Sequence, residues 1–282
     1  MIDDALRKRV AQQRWYHTME LAPGLVTHGW FDLRADVHRY GLPERMDGLR
    51  ALDVGTWDGF WAFEMERRGA QVVALDLDDE RDLDWPPRRR PRSYGDEPRG
   101  AGFALAHEVL GSRVERVVRS IYDATPDDLG TFDWVLCGSV LIHLRDQMLA
   151  LERIAGLCRG TFISAEEYDR PTSLLPIPVS RYRADRDSAV VFWQPSARTW
   201  RRMLWTAGFD RVETRDRFDM RAGEGERAFR VRHQILHGTA RSPDQAPVRD
   251  PTSLRSAVWK AATEKRSALR RAAGESIRSK SV

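Results

Sequence analysis

A chain of 282 residues, with 46 lysines and arginines against 42 aspartates and glutamates, is long enough to bury a sizeable core. Its ten tryptophans and many branched apolar residues exclude wholesale disorder, and no apolar run approaches the roughly eighteen residues of a membrane span. Two cysteines, Cys137 and Cys158, are too few for a disulfide framework or a cysteine zinc site, and no histidine has metal-ligand spacing. The N-terminus shows no apolar stretch ending in a small-residue cleavage motif, so a reduced, cytoplasmic protein with no metal and no membrane contact is expected.

In chain order, residues 1–48 read as an N-terminal cap segment. Arg50–Val54 is a short apolar strand, and Phe60–Arg68 has helical spacing with a stop at Gly69. Gln71–Leu77 reads as a buried strand with an acid near its end. Pro86–Gly100 is too rich in proline and charge for a helix or inner strand. Phe103–Leu110 is a helix, Val114–Tyr122 contains a strand, and Phe132–Leu136 begins another. Gln147–Leu157 is a helix and Thr161–Ala165 a fifth strand. Trp200–Gly208 is a helix, and Arg211–Arg217 and Ala228–Leu236 read as a closing antiparallel pair. The alternation predicts an α/β fold, a doubly wound, mostly parallel sheet with an antiparallel edge and a helical N-terminal extension. The main domain is expected over 49–238.

Residues 239–282 form a basic tail. From Pro251 to Val282, eight basic residues face two acids, a net of +6, so the other 250 residues carry −2 of the chain's total of +4. The high isoelectric point therefore comes from a tail, read as a flexible or partly helical extension, and the body is not a basic nucleic-acid surface.

The segment Leu52–Phe60, LDVGTWDGF, carries the chemistry. Asp53 ends a strand, Gly55 and Gly59 frame a turn, and a helix starts directly afterwards. Glycine lets backbone pass close to a ligand, and a helix start offers free N–H groups to an anion. A dinucleotide loop needs glycines at its first, third and sixth positions, and here the last two are Trp57 and Phe60. An S-adenosylmethionine loop needs glycines two, four and six residues after the acid, and only Trp57 departs from that. Asp76, seventeen residues past Gly59, ends the next strand, where a carboxylate accepts both ribose hydroxyls. The alternative is a tight strand–helix turn with Asp76 capping a neighbouring loop.

With these residues assembled, the chain resembles a class I S-adenosylmethionine-dependent methyltransferase. More closely it is similar to the group around tRNA wobble-uridine (carboxy)methyltransferases, over about Trp15 to His237. The resemblance rests on GWFDLR (Gly29–Arg34), Leu52–Ala70, VVALDLD (Val72–Asp78), FDWVLCGSVLIHLRDQ (Phe132–Gln147), Arg181-Tyr182 and Phe192–Ser196. It implies S-adenosylmethionine as cofactor, an N-terminal segment folded over it, and Asp123 near the adenine amino group. Transferases of a carboxylated cofactor carry a Tyr-His pair followed by two arginines, and here the positions read Ile142-His143-Leu144-Arg145; the family's asparagine is Val190. A buried carboxylate without its donors is expensive, so ordinary methyl transfer is expected.

The expected cofactor set is Asp53, Gly55, Trp57, Gly59, Asp76, Asp123 and Ser139, with the Trp57 indole facing the sulfonium. His143, at the ligand-facing end of the fourth strand, is the candidate base that takes a proton from the nucleophile, and Glu166, with Glu167 beside it, follows the fifth strand to the same rim. Tyr16, His17, Trp30, Tyr182 and Trp193 are candidates for substrate contact. The expected reaction is methylation of a small molecule, a secondary metabolite or sugar, at oxygen or nitrogen. The alternatives are a tRNA-uridine enzyme using the basic tail on phosphates, and a non-catalytic S-adenosylmethionine-binding protein.

Overall fold

The structure is a computed structural model and describes residues 3–94, 98–185, 191–223 and 229–241. Val190 and residues 242–282 of the basic tail lie outside the described residues, while Thr239 and Ala240, expected in the tail, end the last strand.

The N-terminal segment has one α-helix among its described residues and a 3-10 turn at Val37–Tyr40. Helix α1 (Asp4–Gln12) is capped by Asp3, whose carboxylate accepts from Leu6 N, and is followed by the hairpin β1 (Glu20–Ala22) and β2 (Leu25–Val26). Strand β3 (Arg50–Val54) leads into α2 (Phe60–Arg67), then β4 (Gln71–Asp76), α3 (Ala101–Leu110) and β5 (Glu115–Val118). The strand expected within Val114–Tyr122 is Glu115–Val118, and Ile121–Asp123 turns as a 3-10 helix under a Ser120 side-chain cap. The short α4 (Pro126–Leu129), β6 (Phe132–Gly138), α5 (Gln147–Leu157) and β7 (Cys158–Glu167) follow. Next come α6 (Arg170–Ser173), a small hairpin of β8 (Ser180–Tyr182) with β9 (Trp193–Pro195), and α7 (Ala197–Ala207). Strands β10 (Phe209–Ala222) and β11 (Phe229–Ala240) complete the order.

Seven strands form one sheet in the order β10-β11-β7-β6-β3-β4-β5. The five from β7 to β5 are parallel, and β11 runs antiparallel to both β7 and β10, as expected for a doubly wound sheet with an antiparallel edge. The period of two in each inner strand divides its side chains between two cores. Ala51, Val72, Ala74, Leu136 and Ile163 face α2, α3 and the N-terminal segment, whereas Leu52, Val73, Leu75, Val135 and Phe162 face α5 and α7. Both faces are apolar because both are covered, which is why these strands read as continuous hydrophobic runs. Val10, Trp15, Met19 and Tyr40 join the first core, so the first 48 residues share the packing of the main domain.

Chain order reverses between β3 and β6: β3, β4 and β5 extend one way, β6 and β7 the other. The crevice beyond the carboxyl ends of those two strands is where open α/β sheets hold ligands. No helix among the described residues is long and apolar enough to cross a membrane.

Candidate active site

The loop after β3 is built from hydrogen bonds to two acids. Asp53 is buried; its Oδ2 accepts from Thr56 Oγ1 at 2.7 Å and Ala62 N at 3.1 Å, tying the turn to α2. Burial pushes its pKa up to about 7. Gly55 has φ +75°, and a Cβ there would fall 2.3 Å from Val140 Cγ2, so this backbone must lie against the loop after β6. Gly59 (φ +91°) is the N-cap of α2, and its Cβ would meet the Phe63 ring at 2.3 Å.

Trp57 takes φ +49°, a conformation that costs a bulky residue about 1–2 kcal/mol. Three contacts hold it: Asp76 Oδ2 accepts its N–H at 2.7 Å, the Tyr16 ring packs at 5.0 Å, and the Arg99 guanidinium lies 4.0 Å from its ring centroid. One indole face is therefore occupied by a protein cation, which corrects the expectation of an indole simply open to a sulfonium.

Asp58, the residue between Trp57 and Gly59, is the feature that reading for glycines missed. Fully buried, it accepts from Tyr16 N (2.8 Å) and His17 N (2.7 Å) through Oδ2, and its Oδ1 meets His17 Nδ1 at 2.6 Å. One carboxylate thus clamps the N-terminal segment across the loop, with His17 stacked on Phe60. Burial pushes the Tyr16 phenol well above its ordinary pKa, so it stays protonated.

A cavity of about 550 Å³ occupies the crevice, within the size range of ligand pockets. Gly55, Trp57, Asp76 and Leu77 line it, with Ser120, Ile121 and Tyr122 after β5. Ser139, Ile142 and His143 after β6 line it too, as do Tyr16, His17, Trp30, Met220, Phe229 and His233. The structure thus brings together Gly55, Trp57, Asp76, Ser139, His143, Tyr16, His17, Trp30 and Glu167 from the expected set.

Six expected residues do not line the cavity. Asp53 and Gly59 shape the loop from beneath it. Asp123 is exposed, and the adjoining cavity wall is made by Ser120, Ile121 and Tyr122. Glu166 is buried under the β6 loop, where its Oε1 accepts from Val140 N and Leu141 N at 3.0 Å. Burial raises its pKa to about 8, against the pull of those bonds, and its Oε2 has no partner. It is a brace rather than a rim acid. Tyr182 and Trp193 pack on each other at 5.0 Å on the β8–β9 hairpin and are 51% and 38% exposed.

His233, on β11, is a second residue the sequence reading passed over. Its Nδ1 lies 3.1 Å from the Val231 carbonyl, which only accepts, so Nδ1 carries the proton and Nε2 accepts from Ser139 Oγ. Burial holds its pKa down to about 4. The Ala165 carbonyl, 3.2 Å from Ser139 Oγ, is a second acceptor for that hydroxyl, so its single proton is used within the protein and its oxygen can serve a ligand only as an acceptor.

These donors and acceptors fit an adenosyl cofactor. A carboxylate offers about four acceptor positions, and Asp76 uses two on Trp57 N and Leu77 N, leaving capacity for vicinal hydroxyls. Leu77, Ile121 and Tyr122 line the cavity with it, as does Arg99.

Comparison with known proteins agrees with this construction. A methyltransferase-domain family model matches residues 29–214, about two thirds of the chain. The ubiquinone biosynthesis O-methyltransferase of Xanthomonas campestris pv. campestris (strain B100) is 30% identical over 122 residues, 43% of this chain and 41% of that protein. The enzyme of the same name from Vibrio parahaemolyticus is 27% identical over 142 residues, 46% of this chain and 53% of that protein. The chain thus spans about two fifths to one half of the length of these relatives. In fold it is similar to the N-terminal domain of EvdMO1, solved with SAH bound, with a TM-score of 0.56 at 19% identity, covering 86% of this chain and 98% of that one. With its family model, strand order and loop in agreement, the chain belongs to the methyltransferase-domain family, of the class I, S-adenosylmethionine-dependent kind.

Proposed function

We propose that the protein transfers a methyl group from S-adenosylmethionine to a hydroxyl or amine of a small organic molecule. The observation that carries this is one cavity in which Asp76 and Trp57, suited to an adenosyl group, share a lining with apolar and aromatic side chains and the histidines His17, His143 and His233. S-adenosylmethionine, when bound, supplies an electrophilic methyl whose leaving group departs neutral. The chain's own residues then have two tasks, to orient the nucleophile and to take its proton. Orientation supplies at best about 7–11 kcal/mol. Ser139, with its proton turned to His233, accepts a hydrogen bond from the incoming hydroxyl or amine and aims it. His143, at the C-terminal end of β6, takes the proton, a contribution of about 10²–10⁴-fold. Tyr16, His17 and Trp30 wall the acceptor.

The family resemblance to tRNA wobble-uridine enzymes and the basic tail favour an RNA acceptor instead; the apolar wall favours the small one. Incubation with methyl-labelled S-adenosylmethionine and host extract, followed by separation of RNA, protein and metabolites, distinguishes them. Label in the metabolite fraction is the expected result. Label in RNA overturns the small-molecule reading, and donor binding without label in any fraction marks a non-catalytic protein.

A further inference from the structure

A row of touching aromatic rings lines the cavity. Tyr16 packs 5.0 Å from Trp57 and 4.9 Å from Phe31, and Phe31 meets Phe229 edge-on at 6.4 Å between centroids. All four rings line the same cavity, although they come from the loop after β3, the N-terminal segment and β11. Phe31 is fixed there by a bridge to Ala222 at the end of β10, and the Trp30 carbonyl accepts from Gly223 N at 2.9 Å. Trp30 and Phe229 line the cavity and yet are 56% and 45% exposed. Large rings left in water beside a cavity have apolar area that only a ligand would cover. The polar groups close by are largely committed within the protein. His17, edge-on to Tyr16, spends Nδ1 on Asp58, and His233 spends one ring nitrogen on the Val231 carbonyl and the other on Ser139. Ser139 in turn offers a ligand only its lone pairs. A flat ring with one hydroxyl suits that inventory. A sugar, with donors and acceptors around its whole ring, would leave several of them unpaired against aromatic faces.

We infer that the methyl acceptor is a phenol, its flat ring lying along Tyr16, Phe31, Trp30 and Phe229 and its hydroxyl donating to Ser139. Acidity points the same way as shape. A phenol titrates at about 10 and bulk water at about 15.7, with alkyl hydroxyls nearer to water, so an imidazole base takes a phenolic proton far more readily. The sulfonium S–CH3 bond breaks with its electron pair left on sulfur, the aryl O–CH3 bond forms, and the phenolic proton passes to His143. Trp30 and Phe229 are then the residues that select the acceptor. The inference rests on the methyl-transfer reading of this cavity and narrows its acceptor to one class.

Isothermal titration of the full chain, loaded with S-adenosylhomocysteine, tests this with three probes. They are 2-naphthol, its saturated counterpart decahydro-2-naphthol, and methyl glucoside. The expected result is binding of 2-naphthol at least tenfold tighter than that of either other probe. W30A and F229A should each lower that affinity fivefold or more, and F229Y, which keeps a ring, should hold it within twofold. Affinity for S-adenosylhomocysteine should stay within twofold in all three variants, with circular dichroism showing them folded. Equal binding of 2-naphthol and its saturated counterpart, tighter binding of the glucoside, or no binding of 2-naphthol overturns the inference. So does a 2-naphthol affinity unchanged in both W30A and F229A. A wild-type chain that does not bind S-adenosylhomocysteine overturns the donor-site reading instead, and titration of 2-naphthol into the free chain, W30A and F229A then decides the acceptor site by itself.

Discussion

Glu166 shows how a single residue's environment decides its role. From the sequence, an acid after the fifth parallel strand points to the ligand rim. The strand instead continues to Glu167, and alternation turns Glu166 under the β6 loop, where three backbone groups, Val140, Leu141 and Ile142, hydrogen-bond it. Its folded pKa, about 8, lies above its ordinary value near 4.5. A raised acid contributes stability that is fully present below pH 4.5 and is lost as pH rises through 8. That loss is on the order of 3 kcal/mol by pH 7. The substitution E166Q keeps an accepting oxygen for the loop and removes the titration. The gap in melting temperature between E166Q and wild type should therefore widen in favour of E166Q from pH 5 to pH 8; a gap independent of pH would refute the assignment. His143 has the complementary test. H143A should lower turnover by about 10²–10⁴-fold on an identified acceptor while S-adenosylhomocysteine affinity, read by titration, stays within about twofold. An equal loss in affinity would make His143 a brace of the loop.

At the scale of elements, the strand–loop–helix run from Arg50 to Arg67 was legible because each part has a local cause. An apolar run makes the strand, positive-φ glycines make the turn, and an apolar stripe makes the helix. The placement of the N-terminal segment had no such local cause and came only from the resemblance, because it depends on long-range contacts: the packing of Val10, Trp15 and Met19 in the first core and the Asp58 carboxylate on Tyr16 and His17. Nothing in the composition of TWDGF marks that aspartate as different from a surface acid. D58A leaves two backbone N–H groups and an imidazole without their acceptor in a buried place, a loss of about 3–5 kcal/mol. Hydrogen exchange should then rise first in residues 14–31, before the central strands, and D58N, which retains one accepting oxygen, should recover part of the protection. Uniform protection in D58A would show that the apolar contacts of Trp15 and Phe31 alone hold the segment.

For the whole molecule, the parallel inner sheet with its antiparallel edge followed from alternation, whereas the strand order came from the structure; the crevice lies where that order reverses across β3 and β6. Other parts of the lining were less legible. His233 and Phe229 come from the antiparallel edge, and Arg99 from a segment before α3 whose proline and charge disguised it as surface. Those residues reach the site through long-range packing, which no local pattern reports. Charge is divided unevenly along the sequence. Among the described residues the lining of the cavity runs from Arg14 to His233, whereas the +6 excess begins at Pro251. Deleting residues 251–282 should therefore leave S-adenosylhomocysteine affinity unchanged within about twofold and leave methyl transfer to a small acceptor intact. The same deletion should lower non-specific tRNA retention at low salt, since log affinity falls with about 0.7 of a logarithmic unit of salt per phosphate contacted on single strands. Titration and filter binding at two salt concentrations read both effects. Loss of donor binding on deletion would mean that the tail completes the site, and loss of activity on RNA alone would move the acceptor from metabolite to tRNA.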